Sequence, residues 1–340
     1  MTVNLASYQA AVPEPVVARI SGARRVLAVG HENPDADTLG ATLAVSSIVE
    51  ACGGRADAVC TDPVPELYQF LPGIERVRID PDTDAEYDLL VVSDCGTLDR
   101  VGAVRDRHRE LFERLPRVVL DHHASNDDDR HASDWVDPNA AATCEMVTLL
   151  AGRLGVPLDA GHGALATTLM AGIVMDTATF AHPNVTPRTM VVSAALVEAG
   201  APLSDISRRL YRTKPERQLR LFGRVLDRLE TSDGGRVVWS TLLDADLSAT
   251  GSLPSDSEGI IDLLAQAQSA EVAILFKQAP SGTRLSVRTK AGGVDATELT
   301  GIFGGGGHAR AAGATIELPL ERARDKVLAE AARLAAAVAR

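Results

Sequence analysis

The sequence predicts an α/β protein of two domains, an N-terminal parallel-sheet domain followed by a smaller α+β domain. Three observations carry that prediction. Short apolar runs alternate with helical patterns through the first half, as in a largely parallel sheet covered on both faces. A basic segment then interrupts the pattern, and a second, shorter series of strands and helices begins after it. At 340 residues the chain is also long for a single core. The expected division is 1–205 for the first domain, 206–230 for a basic helical linker and 231–340 for the second domain. No internal repeat is visible.

The elements follow in order. Arg25–Gly30 (RVLAVG) reads as a buried strand and leads to a helix from about Thr38 to Ala51. Tyr87–Val92 and Arg117–Leu120 read as further buried strands, and helical patterns dominate from Ala142 to about Gly200. The basic segment Ser207–Arg228 holds eight Arg or Lys against Glu216 and Asp227. Arg217, Arg220, Arg224 and Arg228 fall at helical spacing on one face. Two readings of that face stay open, a solvated surface and the lining of a cleft for an anion. Beyond it come a strand Arg236–Ser240, a helix Asp256–Gln268, and strands Glu271–Lys277 and Thr283–Lys290. A glycine run (Gly304–Gly307), a short strand Ala314–Leu318 and an Ala-rich helix complete the chain.

Composition narrows the function. Hydrophobic residues at 45% and charged residues at 24% suit a globular chain with a substantial core. Aromatics at 4% are too few for stacking platforms along a single-stranded nucleic acid. A net charge of −12 argues against a partner such as duplex DNA or a membrane surface, each of which needs a basic face. A nucleotide stays compatible, because bound cations hold phosphate inside an acidic site. Cys52, Cys60, Cys95 and Cys144 form no CxxC pair and no disulfide-like spacing, so reduced thiols are expected. The N-terminus lacks the pattern of a signal peptide, and no apolar stretch is long enough to span a bilayer. A cytoplasmic location is the expectation.

The strongest chemical signal sits at the ends of the expected strands. The first ends at His31, and the turn after it carries Asp35 and Asp37 (HENPDAD); the second ends at Asp94 (VVSD). The third ends at Asp121, His122 and His123 (VVLDHH), and Asp176 follows an apolar helical run (LMAGIVMD). In an open parallel sheet, ligands bind beyond the carboxyl ends of the strands. Carboxylates gathered there repel one another and resist desolvation unless cations neutralise them. A lone Asp at a strand end is usually a cap, but four such segments at the mouths of apolar runs exceed what capping explains. The oxygen-rich donor set with some imidazole suits Mn²⁺, Mg²⁺ or Fe²⁺. Two cations roughly 3.5–4 Å apart can share a carboxylate and a water and clamp a phosphoryl group for in-line attack. Hydrolysis of a phosphoester or phosphoanhydride fits that geometry.

A second signal is GIFGGGGHARAAGA, Gly301–Ala314. The backbone amides of Gly304, Gly305, Gly306 and Gly307 can form an anion-binding nest, and His308 follows at once. Upstream, Ser286 and Arg288 stand two apart on a strand, hence on one face, where Arg288 could fork onto a phosphate or carboxylate.

In order along the chain, HENPDADTLGA, VVSDCGTLDRVG, VLDHHASN and GIVMDTATF resemble the four motifs of the DHH phosphoesterase superfamily. GGGGHARAAG is similar to the signature of its DHH-associated C-terminal domain. WVDPNAAATCEM and FAHPNVTPRTM resemble its NrnA-like branch of oligoribonucleases and pAp phosphatases. The resemblance covers essentially the whole chain. It implies a metal-dependent phosphoesterase acting on short oligoribonucleotides (nanoRNA), pApA and 3′-phosphoadenosine 5′-phosphate (pAp), with cyclic di-AMP a substrate of some relatives. It implies two divalent metal ions, Mn²⁺ expected and Mg²⁺ the alternative. His31 and Asp35 would hold the first ion, Asp37, His122 and Asp176 the second, and Asp94 would bridge them. Asp121 would orient a histidine, and His123 would contact the scissile phosphate. Ser286, Arg288, the four glycines and His308 would grip the other phosphate or the base. A homodimer is the commonest assembly.

Departures from the family pattern are small. Ala36 and Ala41 stand where many relatives carry Gly and Ser. After DHHASN the chain runs DDDRHASDW without the expected Phe-Gly, which bears on substrate preference, and Asp127–Asp129 reads as a solvated loop. Family II pyrophosphatases lack the GGGGH signature, RecJ-type exonucleases are much longer, and membrane-bound cyclic di-AMP phosphodiesterases carry transmembrane segments. Two readings from other classes are a non-catalytic nucleotide sensor, which would have degenerate metal residues, and an RNA-binding accessory using the Arg217–Arg228 face.

Overall fold

The structure, a computed structural model, describes residues 3–123 and 131–338, so Asp127–Asp129 lie outside the described residues. The chain divides into two compact units between Thr213 and Lys214.

The first unit is built on β1 (Arg25–Val29), β2 (Arg55–Val59), β3 (Leu89–Ser93), β4 (Arg117–Asp121) and β5 (Trp135–Val136), all parallel, in the order β2-β1-β3-β4-β5. Val26 of β1 is in register with Ala56 on one side and Leu89 on the other. Alternate residues point to opposite faces, which sorts the core. Val26, Ala28, Val91, Val118 and Leu120 belong to one apolar cluster, while Leu27, Val29, Leu90, Val92 and Val119 join Val101 and Val104 in another. The principal helices are α1 (Glu14–Gly22), α2 (Ala36–Ala51), α3 (Thr143–Arg153), α4 (Ala160–Asp176) and α5 (Pro187–Glu198). Thirteen of the sixteen residues of α2 are buried, which makes it a core helix, packed by α3 and α4, rather than an amphipathic surface one. The sequence reading passed over β2, whose apolar run is broken by Asp57. That carboxylate accepts a hydrogen bond from the Tyr87 hydroxyl at 2.6 Å and pairs with Arg25, so the strand tolerates it.

The second unit holds β6 (Glu230–Ser232), β7 (Val237–Leu242), β8 (Val272–Ala279), β9 (Gly282–Thr289), β10 (Gly306–His308) and β11 (Ala311–Ile316) in the order β10-β11-β9-β8-β7-β6. Only β7 and β8 run parallel among these pairs. Its main helices are α6 (Glu216–Asp227), α7 (Ile260–Ala265) and α8 (Leu320–Val338). Ala323, Val327 and Ala331 of α8 cluster with Val272, Ile274 and Phe276, while Leu221 and Ile260 cluster with Ala273 and Leu275 on the opposite face.

Two elements differ from their sequence reading. The expected helix Asp256–Gln268 shrinks to α7, because Gly259 is left-handed (φ 85°) and Asp256 accepts from the Leu253 amide and pairs with Arg217 instead of extending the helix. The expected strand Ala314–Leu318 begins earlier, at Ala311, and ends at Ile316, because Gly306–His308 pairs alongside it. The basic face of α6 is fastened within its own unit. Arg217 pairs with Asp256 at 2.8 Å, Arg224 with Asp246 at 3.0 Å, and Arg228 with the same buried Asp246. No single helix among the described residues is long and apolar enough to cross a membrane. All four cysteines are free thiols, and only Cys52 is other than fully buried.

Candidate metal centre

Strand order reverses between β1 and β3, so a crevice opens at the carboxyl ends of those strands. β1 runs on into His31, β3 into Asp94, and β4 ends at Asp121 with His122 and His123 next. α2 starts in the same place. Asp35 caps it, accepting from the Asp37 and Thr38 amides at 2.9 and 3.0 Å, and this sets Asp37 on the first turn. α4 ends at Asp176. Backbone direction and two helix ends thus deliver the residues that the sequence had placed on separate segments.

Their ligating atoms fall into three groups, each within 4.8 Å: His31, Asp35 and Asp94; Asp37, His122 and Asp176; Asp94, His122 and His123. Asp94 lies in the middle. Its Oδ2 is 3.5 Å from His31 Nε2, and its Oδ1 is 3.5 Å from His122 Nε2. His122 Nε2 also stands 3.1 Å from Asp176 Oδ2. Two of the imidazoles are held from behind. His31 Nδ1 donates to the Glu32 carbonyl at 2.6 Å, and His123 Nδ1 donates to the fully buried Asp121 at 2.8 Å.

Several neighbours were not foreseen. Thr38 Oγ1 donates to Asp94 Oδ2 at 2.6 Å, and Thr143 Oγ1 to Asp94 Oδ1 at 3.3 Å. The Thr143 and Cys144 amides, at the start of α3, donate to the two oxygens of Asp37 at 2.7 and 2.9 Å. Thr38 and Thr143 lie inside stretches already singled out, HENPDADTLGA and WVDPNAAATCEM. Nothing in their spacing, however, tells a hydroxyl that supports a carboxylate from one that merely caps a helix.

The electrostatics describe a site short of positive charge. Burial, then the Asp94 charge, pushes Asp37 up to about 7 and raises Asp35. Burial and then Asp37 raise Asp176 well above the carboxylate range. Burial would raise Asp94 too, but hydrogen bonds from His122 and His31 outweigh it and hold Asp94 ionised. His122 is pushed up to about 12: burial opposes its charge, and contacts with Asp176 and Asp94 overcome that. Among the described residues no Lys or Arg pairs with Asp35, Asp37, Asp94 or Asp176. Buried carboxylates and imidazoles without a basic side chain fit hard divalent cations. The nearby Cys144, whose thiol burial and the Asp37 charge push up, belongs to none of these three groups.

In the second unit, strand register gathers the other predicted residues. Arg288, Ala311 and His308 form one row across β9, β11 and β10, and Ser286, Gly313 and Gly306 form another two residues along, on the same face. With Gly304–Gly307 they line a groove of about 790 Å³, although His308 itself is not among its lining residues. Arg288 is not a free fork: its Nε donates to Asp262 at 2.9 Å. The glycines also have a packing reason beyond anion binding. A Cβ on Gly305 would meet the Gly313 carbonyl oxygen at 2.2 Å, and one on Gly307 the Ala311 carbonyl oxygen at 2.6 Å.

Comparison with known proteins gives a consistent result. Residues 25–173 match the model of the DHH family N-terminal domain, and residues 244–337 match the DHHA1 domain. A Thermus thermophilus protein named bifunctional oligoribonuclease and PAP phosphatase NrnA is 33% identical over 88% of this chain and 86% of its own length. A Bacillus subtilis protein of the same name is 27% identical over 84% of this chain and 87% of its own length. An exopolyphosphatase-related protein from Bacteroides fragilis shares the fold, with a TM-score of 0.83, 21% identity and 96% of each chain covered.

Proposed function

This chain belongs to the DHH phosphoesterase family, and we propose that it hydrolyses short oligoribonucleotides, pApA and 3′-phosphoadenosine 5′-phosphate to mononucleotides. The activity class, a metal-dependent phosphoesterase, comes with the family; oligoribonucleotides and pAp follow the relatives' names, and pApA is a two-residue oligoribonucleotide. The observation that carries the reading is Asp94, shared between ligand groups on either side. His31 and Asp35 would hold one divalent ion with it, and Asp37, His122 and Asp176 the other. Mn²⁺ is the proposed ion and Mg²⁺ the alternative, since both accept oxygens and imidazole. Bound there, such ions lower the pKa of a water and neutralise the oxygens of a phosphoryl group.

The chain's own side chains supply positioning. Asp121 holds the His123 ring by Nδ1, which leaves Nε2 to face a phosphate oxygen. Thr38 and Thr143 fix the Asp94 carboxylate so that little reorganisation accompanies the reaction. In the second unit, Ser286, Arg288, the glycines and His308 would bind the remainder of the nucleotide, Arg288 exchanging Asp262 for a phosphate. The test is a product assay with Mn²⁺ and chelator controls on pAp, pApA, cyclic di-AMP, a short RNA and pyrophosphate. AMP released from pAp or pApA only with metal is the expected result. Cleavage of pyrophosphate alone, or tight nucleotide binding without turnover, would overturn it.

A further inference from the structure

α4 ends at Asp176, and the chain then makes a turn of unusual conformation. Ala178, Thr179 and Phe180 all have positive φ, at 45°, 59° and 65°. Side chains with a Cβ adopt that region only where the surroundings over-determine it. Here the Thr177 carbonyl accepts the Ala181 and His182 amides at 2.7 and 3.0 Å, and Thr177 Oγ1 accepts the Phe180 amide at 3.0 Å. The turn brings the chain back onto the peptide of Asp176. His182 Nδ1 donates to the Asp176 carbonyl at 3.0 Å, and Asn184 Nδ2 donates to the same oxygen at 3.3 Å.

The Asn184 amide has two protons, and the second goes elsewhere. It reaches the Ala141 carbonyl at 3.0 Å. Ala141 immediately precedes the N-cap of α3, whose first amides hold both oxygens of Asp37. One side chain therefore ties the backbone that carries Asp176 to the backbone that holds Asp37. Behind it, Arg188 pairs with Asp137 at 2.7 Å and with the buried Glu145, whose other oxygen accepts the Ala141 amide at 3.2 Å. The loop before α3 is thus braced from two sides, and among the described residues only Asn184 hydrogen-bonds both to it and to the Asp176 carbonyl.

We propose that Asn184 is a positioning residue that sets the Asp37–His122–Asp176 ion position selectively, by fastening the peptides behind two of its three ligands. The inference rests on the two-ion reading above. No hydrogen bond of Asn184 runs to the backbone of His31 or Asp35. Loss of the amide therefore loosens one ion position and leaves the other. Partners behind metal ligands are typically worth about 10–100-fold in metal affinity.

The experiment is calorimetric titration of Mn²⁺ into the full chain, beside the Mn²⁺ concentration that half-activates turnover and the melting temperature in chelator. The variants are Asn184→Ala, Asn184→Asp, which keeps the shape but offers only acceptors, and His182→Ala, which removes one of the two donors to Asp176. Wild-type titration tests the two-ion reading by itself, through the presence of two Mn²⁺ sites. Comparison of the variants tests the inference. One site weakened about tenfold or more in both Asn184 variants, a smaller weakening of the same site in His182→Ala, and the other site unchanged would support it. Equal weakening of both sites, or a lowered melting temperature with Mn²⁺ affinity unchanged, would overturn it and leave Asn184 a merely structural residue.

Discussion

Gly172 of α4 lies directly against Asp37 of α2: a Cβ placed on Gly172 would come within 2.5 Å of Asp37 Oδ1 and 2.4 Å of Cys144 Sγ. Real side chains do not approach so closely, so even a methyl group would displace a ligand of the candidate metal centre. Gly172→Ala should cost about 1–3 kcal/mol of stability through overpacking and weaken Mn²⁺ binding. Chemical denaturation and calorimetry of the same sample read both effects. A variant with wild-type Mn²⁺ affinity would show that Asp37 does not need this fit.

Asp94→Ala removes the carboxylate shared between ligand groups. Turnover should fall at least about a hundredfold on pApA, the loss associated with removing one electrostatic contact to a transition state, with the fold intact by circular dichroism. Near-normal turnover in this variant would sink the metal assignment.

The pH dependence has a definite sign. Burial and the Asp94 charge raise Asp37 from its ordinary value to about 7, and Asp176 is raised too. A raised carboxyl contributes stability below its unfolded pKa that is lost as pH rises through its folded value. The metal-free protein should therefore lose stability between about pH 4 and pH 7 through Asp37, and Asp176 acts in the same direction. Mn²⁺ needs the ionised carboxylates, so its binding competes with their protons. The rise in melting temperature on adding Mn²⁺ should be larger at pH 8 than at pH 6, with protons released on binding at pH 6. A metal-induced shift that shrinks as pH rises would contradict the burial argument.

The arginine face of α6 is predicted to be structural. Arg228→Ala strips a charged partner from the buried Asp246 and should cost about 1–3 kcal/mol. Turnover of pApA should stay within twofold of wild type, which a steady-state assay on the folded variant reads. If Arg228→Ala instead weakens binding of long RNA and flattens its salt dependence, the face is a nucleic-acid surface.

Chain length of the substrate would separate the proposed activity from that of a processive exonuclease. Dinucleotides should be cleaved much faster than thirty-mers of the same base composition. Equal rates, measured by product chromatography, would remove the short-oligoribonucleotide reading.

The sequence alone determined the two-unit α/β plan, the family, and the residue types of the candidate metal centre, because each reports through local pattern. β1, β3 and β4 are apolar runs ending in His or Asp, and any parallel sheet turns such endings towards one edge. The tertiary structure decided what local pattern cannot encode. It brought Thr38, Thr143 and the first amides of α3 onto Asp94 and Asp37, and it folded the turn after Asp176 back so that Asn184 meets Ala141. It tied Arg288 to Asp262 and the α6 arginines to Asp246 and Asp256, acids that no spacing rule connects to them. It also gave the glycines at 305 and 307 a packing reason, the close approach of β10 to β11. The division has one physical cause. Hydrophobic period and strand-end chemistry act over a few residues, whereas the bond from the Thr143 amide to the Asp37 side chain, across about a hundred positions, exists only once the sheet order and helix packing have set their distance.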